Sequence, residues 1–301
     1  MAAAVGEAGA GVRTALQAGD RVVVTGAGGF LGRRLVERLR ADGMDVLTAG
    51  RGDGFDLLAD TLPLDGVAHV FHLAAETGVP DAWNDPVRFH LVNTHGTVRV
   101  LDQCRRAGCS LTYVGAYIYG VPQELPIDEG HRVDANNPYA FSKWMGEQAC
   151  EWYAGLYAMD VVAIRLFNTY GPGQSDRFLI PKIVDQVLDP ATPAIELMDL
   201  QPRRDYLYVD DAVDALVRSR AVDGYALYNV GSGQSHSVAE VVETAMSVSG
   251  VRKPVIDLQR QRPNEIPDVR ADCARIGQAC GWSARVGLAE GIARMLEGRT
   301  P

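Results

Sequence analysis

Arg21-Val22-Val23-Val24-Thr25-Gly26-Ala27-Gly28-Gly29-Phe30-Leu31-Gly32 is the stretch on which the fold turns. Arg21 to Thr25 is a short β-rich apolar run bounded by glycine, the pattern of a buried strand. From about Phe30 to Ala41 apolar residues recur at helical spacing, and Gly43 stops that helix. Between the two, glycines at 26, 29 and 32, with Gly28 extra, form a turn tight enough for backbone N–H groups to approach a pyrophosphate at a helix N-terminus. Gly32 lets helix and strand pack closely. Such a turn says little by itself in a chain with 32 glycines. Placed after a first strand and before an amphipathic helix, it predicts dinucleotide binding, with Gly26, Gly28, Gly29, Phe30 and Leu31 against the cofactor.

Outward from the turn, strands and helices alternate. Strands are expected at Met44 to Ala49, Val67 to Leu73, Leu111 to Val114 and Asp160 to Leu166. Long helices are expected at Pro86 to Ala107 and from Pro138 onward. This alternation implies an α/β fold, a doubly wound parallel sheet with helices on both faces. Beyond Asn168 the elements shorten and Pro and Gly multiply, which suggests a smaller second lobe. The expected division is a flexible leader at 1–20, a dinucleotide-binding domain at 21–167 joined by about 206–223, and a second lobe from 168–205 and 224–301.

Composition bounds the partners. The chain has 301 residues, 47% hydrophobic, and a formal charge of −9, so no basic surface points to nucleic acid. No apolar run reaches membrane-spanning length. The Ala/Gly-rich stretch from Met1 to Asp20 has one basic residue, Arg13, and no apolar core of a signal peptide. Five cysteines with no CxxC spacing predict reduced thiols, a cytoplasmic location and no metal site.

The end of the second strand bears on which dinucleotide binds. Gly50-Arg51 stands where an acidic residue commonly holds the ribose 2′-hydroxyl of NAD. A guanidinium there suits a 2′-phosphate, so NADP(H) is the expected cofactor. NAD(H) is the alternative, resting on Asp53 and Asp56 just beyond.

Tyr139 and Lys143 lie four residues apart behind Pro138, on one face of a predicted helix. Lys143 is one of only three lysines. A phenol titrates near pH ~10; an adjacent ammonium favours its ionised form and makes it usable as acid or base. Solvated Tyr/Lys pairs are common on helices, so this one draws its meaning from the turn before it.

Together, turn and dyad resemble the extended short-chain dehydrogenase/reductase family, in its nucleotide-sugar epimerase, dehydratase and reductase branch. The resemblance runs from about Arg21 to Arg294. It is carried by Thr25 to Gly32, His72 to Glu76, Asn93 to Thr97, Tyr119-Gly120, Tyr139 to Lys143, Arg165 to Pro172, Arg204 to Tyr206 with Tyr208 to Asp211, Asn229 to Gly231, and Arg262 to Glu265. It implies a Rossmann-like fold with a smaller C-terminal α/β lobe and a nucleotide-diphosphate sugar in the cleft. Cofactor contacts would come from the turn, Arg51, Leu73, Ala74, Ala75, Asn93, Tyr139 and Lys143, with Tyr139 as proton donor or acceptor. Substrate contacts would come from Glu76, Thr77, Gly115, Ala116, Tyr117, Asn168, Arg204 and Arg262. The two arginines and Asn168 resemble residues that clamp the diphosphate. The residues alone also allow Asn168 as a strand-end turn and Arg204 paired with Asp205 or Asp211. His72 and His95 read as packed or hydrogen-bonded histidines. Relatives often dimerise through a four-helix bundle, to which Pro86 to Ala107 would contribute.

One departure matters. Gly115 occupies the place where relatives carry a Ser or Thr that hydrogen-bonds the reacting oxygen, a donor whose loss costs rate. Tyr117, an ordered water or a substrate hydroxyl are the substitutes. Ala116-Tyr117 also replaces the Asp-Glu pair typical of 4,6-dehydratases. A 4,6-dehydratase is therefore not expected; Arg51 together with the resemblance implies NAD(P)H-dependent reduction of a nucleotide-linked 4-keto-6-deoxyhexose. The alternatives are an NAD-dependent C4-epimerase and a dinucleotide-binding protein with weak or no catalysis.

Overall fold

A computed structural model describes residues 16–219, 223–260 and 265–297. Six parallel strands form the main sheet in the order β2-β1-β3-β4-β5-β9, comprising β1 (Arg21–Thr25), β2 (Asp45–Ala49), β3 (Val67–His72), β4 (Ser110–Val114), β5 (Val161–Leu166) and β9 (Tyr225–Val230). Val22, Val24, Phe71, Val162 and Ile164 face one core with Leu35, Val36 and Leu39 of α1 (Phe30–Ala41). Val23, Val70, Leu111 and Ala163 face the other with Val100, Leu101 and Cys104. Burial on both faces explains the unbroken apolar runs read as strands.

The helical run Pro86 to Ala107 is present but not uniform. After α2 (Val79–Asn84), α3 (Pro86–Phe89) leads into a π-helical turn, His90–His95, and α4 (Gly96–Ala107) completes it. Asp85 caps α3 by accepting from the Arg88 N–H at 3.0 Å. A π turn inserts one residue into the helical ladder and re-aims the side chains it carries. Here it buries Asn93. α5 (Pro138–Tyr157) has Pro138 in its first turn and Asn137 as its cap.

The second lobe contains the three-stranded sheet β10-β8-β6, from β6 (Asn168–Tyr170), β8 (Arg203–Tyr208) and β10 (Ser235–Ser237). A parallel pair joins β7 (Ile195–Leu197) to β11 (Val255–Asp257). Around them α6 (Leu179–Leu188), α8 (Val238–Ser249) and α10 (Leu288–Leu296) share a core that includes Ile183, Val187, Val241 and Ile292.

Two boundaries differ from expectation. Tyr225–Val230, placed by the sequence in the second lobe, is the sixth strand of the main sheet, paired from Val161↔Tyr225 to Leu166↔Val230. Its Tyr228 and Val230 complete the first core. Of the segment expected to return to the first lobe, α7 (Val209–Arg218) does so from Ala212, with Ala212, Val213 and Leu216 in that core, while Val209 at its start packs in the second's. The strand before it alternates: Leu207 faces the first lobe's core, Tyr206 and Tyr208 the second's. Buried Asp205 stitches the seam, accepting from Ser232 N–H and Oγ (both 2.6 Å), Gly233 N–H and Ala271 N–H (both 3.0 Å). α9 (Ala274–Cys280) packs against β9. No described helix is long and apolar enough to cross a membrane.

Candidate active site

The cradle at β1–α1 has the geometry its glycines require. Gly26 has φ +69°, and a Cβ there would lie 2.7 Å from Ala74 N. A Cβ on Gly32 would lie 2.2 Å from Gly26 O. Gly28, by contrast, faces open space, with nothing within 4 Å of a built Cβ. The cap residue of α1, Gly29, offers no side chain, and its first turn holds no acid. Its N–H groups and the positive end of its dipole are thus left for an anion. These residues fit a dinucleotide pyrophosphate.

The end of β2 is less simple than its sequence. A one-turn 3₁₀ helix, Arg51–Asp53, folds Asp53 back so that its Oδ2 lies 3.5 Å from where a Gly50 Cβ would be. That same point is 3.7 Å from Ala27 N and Gly28 N. A carboxylate therefore occupies the strand end after all, supplied from three residues on. Arg51 is 81% exposed and leans toward Glu76 at 3.6 Å.

Asn137 Oδ1 accepts from the Ala140 N–H at 2.9 Å, which starts α5 so that Tyr139 and Lys143 share a face. Lys143 is buried, donates from Nζ to the Val114 carbonyl at 2.7 Å and lies 4.5 Å from the Tyr113 ring centroid. An ammonium has three donors, so two remain for other acceptors. Burial lowers the Lys143 pKa to about 8, against the opposing pull of Cys150 and Glu147. The Tyr139 ring meets Phe89 edge-on at 6.2 Å. Its pKa is pushed up to about 12, first by burial and then by Tyr117. The lowering expected from Lys143 is not seen. Desolvation disfavours the charged form of both groups, and the ammonium is turned to Val114 rather than to the phenol.

Asn93 was expected at the cofactor. Its side chain accepts from Glu76 N–H at 2.8 Å and donates to Glu76 O at 3.0 Å and Ser142 Oγ at 2.9 Å. Both amide protons are spent, so Asn93 positions the β3 loop against the dyad helix. His72 behaves as read. Thr97 Oγ1 donates to Asn93 O at 2.7 Å, so it accepts from His72 Nε2 at 3.0 Å. Nδ1 is left to accept from Thr25 Oγ1 at 2.7 Å, and Thr25 accepts in turn from Ala74 N–H at 3.2 Å. Burial first, and Lys143 second, lower the His72 pKa to about 3. This neutral chain of bonds ties the glycine turn to the π turn. His95 is exposed rather than packed.

The substrate candidates divide. Gly115, Ala116 and Tyr117 continue the line of β4 beside β5, with Gly115 N–H donating to Ile164 O at 2.7 Å and Tyr117 N–H to Leu166 O at 3.2 Å. The Tyr117 ring stacks on Phe167, centroids 5.3 Å apart and planes 24° apart. Glu76 is held by Arg88 at 3.2 Å, and Thr77 is exposed. Asn168 opens β6 and donates to Asp205 O at 3.3 Å. Arg204 pairs with neither Asp205 nor Asp211; it donates to Arg203 O at 2.8 Å, Ile266 O at 2.6 Å and the Glu265 carboxylate. Arg262 lies outside the described residues. Among the described residues no group of three His, Cys, Asp or Glu is arranged to hold a metal.

Two features escaped the sequence. Arg165 and Glu147, both buried, form a two-bond pair at 2.9 and 2.6 Å. The guanidinium also covers the Tyr119 ring at 4.8 Å. Glu147 follows Lys143 by four on the same helix face, a spacing that could have flagged it. Tyr206, beside Asn168 in register, has a buried hydroxyl with no partner among the described residues.

The family model described as NAD dependent epimerase/dehydratase matches residues 22–231. The chain is similar to the UDP-glucose 4-epimerase of Mycolicibacterium smegmatis, at 34% identity over 92% of this chain and 97% of the relative. It is also similar to the GDP-6-deoxy-D-mannose reductase of Pseudomonas aeruginosa, at 32% identity over 92% and 96%. Among solved structures it resembles RMD from Pseudomonas aeruginosa complexed with NADPH, with TM-score 0.84 and 30% identity, covering 92% of this chain and 98% of that one.

Proposed function

The chain belongs to the NAD dependent epimerase/dehydratase family, and on that basis we propose that it reduces the carbonyl of a nucleotide-linked 4-keto-6-deoxyhexose. The observation that carries this reading is Tyr139. Its ring packs edge-on against Phe89, its hydroxyl makes no hydrogen bond to a described residue, and a neutral phenol carries the proton that a reduced carbonyl oxygen needs. The bound dinucleotide supplies the hydride. Tyr139 donates the proton that the carbonyl oxygen then needs. Lys143, with two donors to spare, holds hydroxyls of the nicotinamide ribose, and the α1 N-terminus holds the pyrophosphate. Arg204 reaches the substrate diphosphate by exchanging Glu265 for it, an exchange of one charge-assisted pair for another.

At the strand end the Asp53 carboxylate supports an unphosphorylated ribose, which favours NAD(H). NADP(H), expected from Arg51, requires that arginine to leave Glu76. Asp53→Asn should weaken NAD(H) binding and leave NADP(H) nearly unchanged, whereas Arg51→Ala should do the reverse; titration of each variant with both dinucleotides reads the outcome.

The second reading is an NAD-dependent C4-epimerase, favoured by that same Asp53 carboxylate. The test incubates the protein with either reduced dinucleotide and a panel of 4-keto-6-deoxy nucleotide sugars. Stoichiometric loss of the nicotinamide absorbance, abolished in Tyr139→Phe, supports the reductase. Interconversion of two nucleotide sugars without net cofactor consumption replaces it with the epimerase. Dinucleotide binding with neither reaction leaves the non-catalytic alternative.

For assembly we propose a homodimer through α5 and the α2–α4 run. Trp83, Val87 and Leu91 on one and Phe141, Met145, Trp152 and Leu156 on the other are large apolar side chains left exposed. A monomer by sedimentation would reject it. Reduced free thiols fit a cytoplasmic setting.

A further inference from the structure

We propose that Tyr117 supplies the hydrogen bond to the reacting sugar oxygen that a Ser or Thr at position 115 supplies elsewhere. The inference rests on the nucleotide-sugar oxidoreductase reading of the site.

Position 115 cannot carry a hydroxyl in this backbone. A Cβ there would lie 2.9 Å from Ile164 O and 3.4 Å from Tyr113 Cε1. Ile164 O is itself fixed by the Gly115 N–H at 2.7 Å. The main chain approaches β5 too closely for any side chain, so the donor must come from a neighbour.

Tyr117 meets the geometric demands. Gly115 and Tyr117 donate to Ile164 O and Leu166 O, residues two apart bonding residues two apart. β4 ends at Val114, but these two bonds carry the chain on beside β5 in the same alternation, in which side chains of i and i+2 face the same way. Tyr117 therefore projects on the face that a residue-115 side chain would use, with a longer reach. Its stack on Phe167 fixes the ring before substrate arrives, so little further entropy is lost on binding. Its hydroxyl, like that of Tyr139, makes no hydrogen bond to a described residue. After burial, Tyr117 is the neighbour that raises the Tyr139 pKa, so the two phenols lie near each other. Ala116 between them carries no polar side-chain atom.

Proton and electrons balance without Tyr117 transferring anything. Hydride bonds to the carbonyl carbon, the C=O π pair moves to oxygen, and that oxygen takes the Tyr139 proton; the phenolate regains one from water. Tyr117 donates a hydrogen bond to the oxygen as its charge builds.

Tyr117→Phe removes the hydroxyl and keeps the stack. On the substrate that the wild type turns over, kcat should fall about 100-fold, the scale for losing one such donor. The primary isotope effect with 4-deuterated nicotinamide should rise on kcat, while dinucleotide affinity stays within about twofold, the behaviour of an interaction made only in the transition state. A binding readout needs no turnover: UDP-glucose and GDP-mannose are each compared calorimetrically with their 4-deoxy analogues. Wild type should favour the 4-hydroxy form, and Tyr117→Phe should lose that preference. A Tyr117→Phe enzyme with unchanged kcat and unchanged 4-hydroxy preference overturns the inference and leaves the reductase reading intact. Wild-type failure to bind any nucleotide sugar overturns both.

Discussion

Gly115→Ser is the substitution that would seem to restore a missing catalytic group, and the geometry says it will damage the protein instead. The new Cβ would sit 2.9 Å from the Ile164 carbonyl, which cannot retreat without stretching the 2.7 Å bond it accepts from Gly115 N–H. Overpacking a buried site costs about 1–3 kcal/mol, and weakening the backbone bond adds about 1 kcal/mol. Replacing glycine returns about 0.4–1 kcal/mol by restricting the unfolded chain. The net is about 2 kcal/mol of lost stability, or a Tm lower by roughly 3 °C in a chain of this length. Urea unfolding should show a lower midpoint with an unchanged slope, and Gly115→Ala should behave alike, because the β-carbon rather than the hydroxyl is at fault. A serine variant as stable as wild type, with a raised kcat, would refute the reasoning. It would mean that the hydroxyl is merely absent rather than excluded.

Other outcomes follow from the same contacts. Gly28→Ala should leave stability within about 0.5 kcal/mol, since nothing lies within 4 Å of its Cβ, yet weaken dinucleotide binding at least tenfold (about 1.4 kcal/mol) by equilibrium titration; Gly32→Ala, 2.2 Å from Gly26 O, should prevent stable folding. Glu147→Gln leaves the buried Arg165 guanidinium uncompensated and should cost about 3–5 kcal/mol in urea unfolding, whereas replacing both partners by leucine and methionine should recover most of it. Lys143, lowered to about 8 from 10.5, should lose its proton first in the folded state. Between those two pH values the unfolded chain binds more protons, so stability rises with pH there. Dinucleotide affinity falls through about pH 8 over the same range, and Lys143→Arg should abolish that fall.

The fold was legible where backbone geometry dictates residue type. Gly26 and Gly32 leave no room for a β-carbon, and buried parallel strands require runs such as Val22 to Val24; both constraints are written directly in the sequence. Non-local pairing is not. Tyr225–Val230 joins the main sheet because β5 has a free edge, and nothing within those six residues distinguishes them from a strand of the second lobe. The π turn at His90–His95 is likewise a change of hydrogen-bond register inside an otherwise continuous helical pattern. Its consequence, a buried Asn93 bridging Glu76 and Ser142, had no local signal.

At the site, spacing located the dyad and misjudged its electrostatics. Four residues on a helix place Lys143 on the face of Tyr139, but the direction of a flexible ammonium is set by its best acceptor, and the Val114 carbonyl at 2.7 Å is that acceptor. The strand end fails in the same way: Arg51 is adjacent in sequence and points outward, while Asp53, two residues later, is returned by a 3₁₀ turn. Both cases separate what a residue is from where its last atoms go. Gly115 shows the converse. There the sequence reported a loss, and the Cβ clearance of 2.9 Å shows a backbone that has moved in to fill the space. A hydroxyl serving this site must then come from a side chain that keeps the same facing and spans the longer distance. Two residues along, already stacked on Phe167, Tyr117 is the side chain we propose for it.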